Sequence, residues 1–169
     1  KLLDGHIYCQ IADLLNEQWE YTLRTSPEFA SMLGDRRYND QVSDVSEKAV
    51  RANLEMSRKF LRRFEAIDTI GFSVQETLNR DLMVKTLRDE LEGAKFRNWQ
   101  MPVNQMGGIH LGAAQLPSLL PFASVKDYDD YIVRLAKFPP LLEDTTANMR
   151  KGMAARLMPP KFLLGKVAE

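Results

Sequence analysis

The sequence predicts an all-α fold, and three observations carry that expectation. Apolar residues recur at three- and four-residue steps in several separate stretches, as they do along one face of a helix. Some of these stretches open on serine-led capping signals, and several close at proline or glycine. No alternating run of β-branched and aromatic residues bounded by turn signals is present, and a half-buried strand would need one. The expectation is a multi-helix domain of about six helices with one long Gly/Pro-containing connection, residues 1–169 forming a single helical region.

The first helix follows from Ile7, Ile11, Leu14, Leu15, Trp19 and Leu23, which share one face. Pro27 stops it, because the residue before a proline is pushed out of the α region; Pro27 can then start a short helix ending near Gly34. A polar loop runs to Asp44, and Ser46 is the N-cap of the next helix, whose stripe is Val50, Leu54, Leu61, Phe64 and Ile67 and which closes before Gly71. Ser73-Val74-Gln75-Glu76 is a capping box opening a helix with Leu78, Leu82, Leu87, Leu91 and Ala94 on its stripe. Ser124-Val125-Lys126-Asp127 is a second box, with Tyr128, Tyr131, Ile132 and Leu135 expected on the inner side before Pro139-Pro140 ends the helix. A last complete helix is expected from about Leu141 to Leu157, with Leu142, Thr146, Met149, Met153 and Leu157 inward. Between the boxes, Phe96 to Ala123 holds Pro102, Pro117 and Pro121 with Gly107, Gly108 and Gly112, and reads as the long structured connection where function concentrates.

Composition narrows the function classes. The chain is 44% hydrophobic, and a length of 169 residues buries roughly 70% of the unfolded surface, so neither a disulfide framework nor a metal staple is required. With 23 basic and 23 acidic side chains and no block of like charge, it lacks the clustered cations that nucleic-acid binding needs. The longest uncharged stretch, Asn98 to Val125, is broken by prolines and glycines, so no transmembrane segment is expected. A single cysteine, Cys9, rules out an internal disulfide and a paired-cysteine metal or redox site. The chain starts on Lys1, and a stripe of Phe162, Leu163 and Val167 opens as it ends, so it reads as the N-terminal fragment of a larger helical protein, truncated at its C-terminal end.

No catalytic motif is legible. His6 and His110 lie on different elements without a partner at ligand spacing, so no metal site is expected within the chain. Cys9 has no base beside it, and Asp127, Asp129 and Asp130 sit at a helix start, where the macrodipole favours negative charge. Arg58, Lys59, Arg62 and Arg63 form two basic rows, but Glu55 precedes Lys59 and Glu47 precedes Arg51 by four residues, the spacing of a salt-bridged solvated face.

Three stretches go beyond class-level reading. Pro27-Glu28-Phe29-Ala30-Ser31-Met32-Leu33-Gly34-Asp35-Arg36-Arg37-Tyr38-Asn39-Asp40 resembles the early P-E-x-A-x-x-L-G-D-x-R-Y-x-D signature of the bacterial family called "domain of unknown function 885". Trp99-Gln100-Met101-Pro102-Val103-Asn104-Gln105-Met106-Gly107-Gly108 resembles its M-P-x-N-Q-x-G-G segment, and Tyr131, Arg134-Leu135, Pro139 and Met149-Arg150-Lys151-Gly152 follow in the family's order. The resemblance implies a longer, mostly helical parent, often exported and sometimes lipid-anchored, whose later part carries a His-Glu...Gly-His segment of zinc-peptidase type. It implies that this chain is the non-catalytic helical part of a zinc-dependent, peptidase-like hydrolase, shaping or covering the substrate cleft. Its partners would be the remainder of the parent chain and a peptide substrate; zinc would belong to the parent, with no cofactor in this fragment. Cys9 does not sit in a lipobox, since Ile7-Tyr8 lacks the small residues needed before it. The substrate-facing candidates are Asn104, Gln105, Gly107, Gly108 and His110, because amide side chains and bare glycine backbone hydrogen-bond an extended peptide closely; the same glycines and amides equally read as the stitching of a long buried connection. Asp35, Arg37, Tyr38 and Asp40 read as a polar network tying a loop to the helices. The alternative function is a helical peptide- or protein-binding or scaffolding module with no catalytic activity.

Overall fold

The computed structural model describes residues 2–167, with side chains from Ile11 onward, so the expectations for the His6, Ile7 and Cys9 side chains lie outside the described residues. The fold is all-α: 71% of the chain is helical and the described residues contain no strand. The helices are α1 (Leu2–Thr25), α2 (Pro27–Met32), α3 (Glu47–Glu65), α4 (Val74–Gly93), α5 (Ile109–Leu119), α6 (Val125–Leu135), α7 (Phe138–Ala154) and α8 (Lys161–Leu164). No described helix is long and apolar enough to cross a membrane.

The chain divides into two compact units whose segments interleave. The first takes the residues up to Thr22 together with Arg51–Phe96, and the second takes Leu23–Val50 together with the residues from Arg97 onward. The first unit is built on a core of Leu14, Phe60, Phe64, Val84 and Leu87. Edge-on packing of Tyr21 against Phe60 extends it, and the Tyr21 hydroxyl donates to Asn53 Oδ1 at 2.6 Å. At the end of α3, Arg80 Nε donates to Phe64 O and Arg80 Nη2 to Glu65 O, both at 3.1 Å, which satisfies carbonyls that a helix end otherwise leaves open. The Ser73–Glu76 box forms as expected: Glu76 N donates to Ser73 Oγ at 3.3 Å, and Ser73 N donates to Glu76 Oε2 at 2.8 Å. Leu87 is buried as expected, but Leu78 and Leu82 depart from expectation: both are exposed, and Val84 is the other residue that α4 buries.

In the second unit the predicted boundaries largely hold, whereas the predicted faces do not. The long connection contains α5, which continues through Pro117, a residue that reads as a breaker because it removes one ladder bond. Pro139 and Pro140 do not merely end the helix before them: they lie in the first turn of α7, where a missing N–H leaves nothing unpaired, so this helix starts at Phe138 and not Leu141. The inner face of α7 is Leu141, Thr145, Asn148 and Gly152, one residue over from the apolar stripe, which leaves Leu142 and Met153 exposed. Helix α6 departs further. It buries Asp127 and Arg134, while Val125 (78% exposed), Tyr128, Ile132 (64%) and Leu135 face outward, against the expectation that Tyr128, Ile132 and Leu135 line the core.

Candidate functional site

The segment singled out by sequence folds into two successive turns within the second unit. Arg97 adopts the left-handed conformation (φ 51°) and leads into a tight 3-10 turn over Asn98–Gln100. Met101 N donates to Asn98 O at 2.9 Å within it. The chain then closes a second turn in which Asn104 N donates to Gly107 O at 3.0 Å, and Asn104 Oδ1 accepts from Met106 N at 2.8 Å and Gly107 N at 3.1 Å. The Asn104 amide oxygen is therefore occupied in holding its own loop. Asn104 and His110 are exposed and Gln105 is half-buried.

The two neighbouring glycines differ. A Cβ on Gly107 meets open space, whereas Gly108 has φ +142°, and a Cβ there would sit 3.1 Å from Pro102 O and 2.9 Å from His110 Nδ1. Gly107→Ala is accordingly expected to leave the melting temperature within about 2 °C of wild type. Gly108→Ala should destabilise by about 1–3 kcal/mol, the range for a side chain forced into a sparsely populated backbone region. Thermal denaturation of the two variants side by side checks this.

From the two turns and the first residue of α5, the side chains that line internal space are Trp99, Pro102 and Ile109. They form part of the wall of a cavity of about 340 Å³, completed chiefly by Val45, Val50 and Leu141. A second, almost entirely apolar cavity of about 320 Å³ shares Val45, Ile109 and Leu141 and runs along Met32, Leu116 and Phe138. Most polar groups around these spaces are already used. Thr145 Oγ1 donates to Leu141 O at 2.8 Å, Asn148 Nδ2 to Val45 O at 2.7 Å, and Glu28 accepts from Ser43 N and Ser43 Oγ. Within the adjoining turn, Trp99 Nε1 and Gln100 Oε1 are buried with no hydrogen-bond partner. Gln100 is pinned by its backbone, because α7 approaches so closely at Gly152 that a Cβ there would lie 2.2 Å from Gln100 O.

A buried guanidinium fixes the surrounding frame. Arg134 has no exposed surface, and its Nη2 donates to Ser31 Oγ and Tyr38 O at 2.7 Å each and to Pro27 O at 3.4 Å. Its Nε and Nη1 are buried without partners. Burial holds the Arg134 pKa below its ordinary value, with the carboxylates of Glu28 and Asp40 pulling the other way. Lys137 Nζ reaches Gln41 Oε1 at 2.8 Å and Asp40 Oδ2 at 3.4 Å, and Ser31 Oγ lies 2.7 Å from Asn39 Oδ1. The expected loop-to-helix network therefore exists through the Tyr38 carbonyl and Asp40, while Asp35 and Arg37 pair with each other at the surface.

Asp127 closes the second capping box by accepting from Ser124 N at 2.8 Å and Ala123 N at 3.0 Å, with Arg36 Nη2 at 3.5 Å. Desolvation alone would raise its pKa; the Ser124 and Ala123 hydrogen bonds and the Arg36 charge outweigh it and hold the carboxyl below its ordinary value. A folded-state pKa below the unfolded one gives stability that is present above about pH 4 and lost as pH falls through the folded value. Melting temperature is thus expected to be flat from pH 7 to 5 and to fall below about pH 4, with a shallower acid limb in Asp127→Asn. Glu17 and Asp35 are lowered too, through side-chain hydrogen bonds from Arg63 and Arg37, but both pairs are at the surface and contribute less.

A sequence model of the family described as "Bacterial protein of unknown function (DUF885)" matches residues 27–169. The chain belongs to the DUF885 family. No curated protein and no solved structure matches it. In this DUF885 chain the three resembling stretches converge within the second unit: Pro27 O, Ser31 and Tyr38 receive Arg134, and Gln100 O lies against Gly152. Sequence reading missed the cavity because Val45, Leu141, Thr145 and Asn148 come from elements far from Trp99 in the chain; within the segment, the Trp and Pro beside the amides were the available signal. Among the described residues no group of three His, Cys, Asp or Glu could hold a metal ion.

Proposed function

We propose that this chain is the N-terminal, non-catalytic helical part of a zinc-dependent, peptidase-like hydrolase of the DUF885 family, where it shapes or covers the substrate cleft. The observation that carries the reading is the outward stripe of α6. Val125, Tyr128, Ile132 and Leu135 repeat at three- and four-residue steps, as a seam against another helix does, yet all four are exposed. A further helical portion of the parent covering that stripe accounts for it. The residues described here do not fit a zinc ion; in this reading the ion and its general base belong to the later part of the parent, and no catalytic step is assigned to this chain. The resemblance to the family also supports an exported or membrane-anchored location.

The test is cleavage of a mixed peptide library by the full-length parent, with and without a zinc chelator, beside the 169-residue chain alone. Chelator-sensitive cleavage by the parent only is expected. A folded, zinc-loaded parent that cleaves nothing overturns the reading. The second reading, a helical binding module without chemistry, is favoured by the apolar cavities of the second unit and then moves ahead.

A further inference from the structure

We propose that the outer face of α6 docks a helix from the remainder of the parent chain, and that this helix sets a lysine or arginine against Asp129. The inference rests on the cover proposed above for α6 and adds the charge and the source of the covering helix.

Helix α6 is built inside out. Its buried residues are Asp127 and Arg134, both charged, and at 3.6 residues per turn Val125, Tyr128, Asp129, Ile132, Val133 and Leu135 lie on the side away from them, all six exposed. Five of these are large and mostly apolar, and Asp129 is the carboxylate among them. It is one helical turn from Val125, Ile132 and Val133, so whatever covers those side chains covers Asp129 too. A carboxylate taken out of water needs an opposite charge beside it. Lys126, at the edge of the face, already pairs with Asp130 at 2.6 Å, and among the described residues no cation pairs with Asp129. The cation therefore comes with the covering helix.

Area and charge both argue against a second copy of the chain as the occupant. With 11 residues, α6 is about 16 Å long. One face of so short a helix offers well below the roughly 800 Å² per partner that a standard specific interface buries. A helix of the same chain needs far less area, because the tether has already removed most of the translational and rotational freedom that association costs. A two-fold pairing of α6 with α6 about the middle of the stripe would also bring two Asp129 carboxylates together, with both Lys126 side chains engaged elsewhere.

The experiment uses the full-length parent. With p-benzoylphenylalanine in place of Ile132, the photo-cross-link is expected within the same chain, past residue 169, on a segment with apolar residues at three- and four-residue steps and a lysine or arginine among them. In Ile132→Cys, maleimide alkylation of that site, followed by peptide mass, is expected to be about tenfold or more slower in the folded parent than in the urea-unfolded one. Adding Asp129→Lys should raise the folded rate about tenfold, and reversing the cross-linked cation to glutamate in that variant should restore slow alkylation. Alkylation as fast in the folded parent as in urea would show α6 uncovered, and would remove both this inference and the cover on which it rests. Slow alkylation that Asp129→Lys does not change would keep the cover and overturn the cation. A cross-link between two chains would overturn the tethered source. None of these outcomes depends on peptide cleavage, so the hydrolase reading stands or falls separately.

Discussion

Replacing Gly152 with alanine is expected to lower the stability of the protein by about 3 kcal/mol, the upper part of the range for overpacking a close contact. In a domain of this size that corresponds to a fall in melting temperature of about 6–12 °C. The added Cβ would sit 2.2 Å from Gln100 O and 3.1 Å from Gln100 C, so the neighbour that must give way is backbone, not the end of a flexible side chain. Helix α7 and the 3-10 turn over Asn98–Gln100 would have to separate, and both contribute to the wall of the larger cavity. Gly112→Ala is the control. It lies inside α5, with nothing near the new Cβ, and should stabilise by about 0.5–1 kcal/mol through reduced backbone entropy in the unfolded chain. Urea titration of the two variants should give midpoints on opposite sides of wild type. A Gly152→Ala midpoint unchanged from wild type would mean that α7 and the turn are not in contact.

Arg134→Ala is expected to cost about 3–5 kcal/mol, as is usual when a buried charged network loses its central member. The substitution leaves Tyr38 O and Ser31 Oγ without their donor and opens a void in the second unit. Arg134→Met separates these effects. It keeps most of the volume and removes a buried cation whose Nε and Nη1 are unpaired, so it should recover roughly half of the loss. The burial that lowers the Arg134 pKa destabilises the folded form wherever the group is protonated in both states, which covers all working pH values, so the comparison should be insensitive to pH from 5 to about 8. Equal melting temperatures for wild type and Arg134→Ala would show that the carbonyls find other partners.

Local signals were readable and distant ones were not. The Ser73 and Ser124 boxes are each complete within four residues, and both form as expected. The choice of inner face on α6 and α7 depends on what packs there. Arg134 turns inward because Pro27 O, Ser31 and Tyr38 offer acceptors from about a hundred positions earlier, and that turns Ile132 and Leu135 outward. Asn148 turns inward because Val45 O accepts from it, which leaves Leu142 and Met153 exposed. Apolar periodicity reports a stripe but not its neighbour, so it identified real stripes and assigned them to the wrong side. Helix α5 escaped for another reason: Pro117 falls eight residues past Ile109 and mimics a stop. Of the candidate site, the sequence singled out one segment with its amides and glycines; Trp99, beside them, is the residue whose open donor the fold buries.

The interleaving of the two units bears on synthesis. Segment 23–50 leaves the ribosome before Arg51–Phe96, yet it belongs to a unit whose remaining residues begin only at Arg97. Pro27, Ser31 and Tyr38 therefore wait for Arg134, 103 residues after Ser31, for a matter of seconds at ordinary elongation rates. Once Phe96 has emerged, the first unit has all its residues available while the second still has an early segment without its buried cation. The nascent chain is then most exposed to chaperones and proteases between the emergence of Arg97 and that of Arg134, and slowing translation across this stretch would lengthen that vulnerable period.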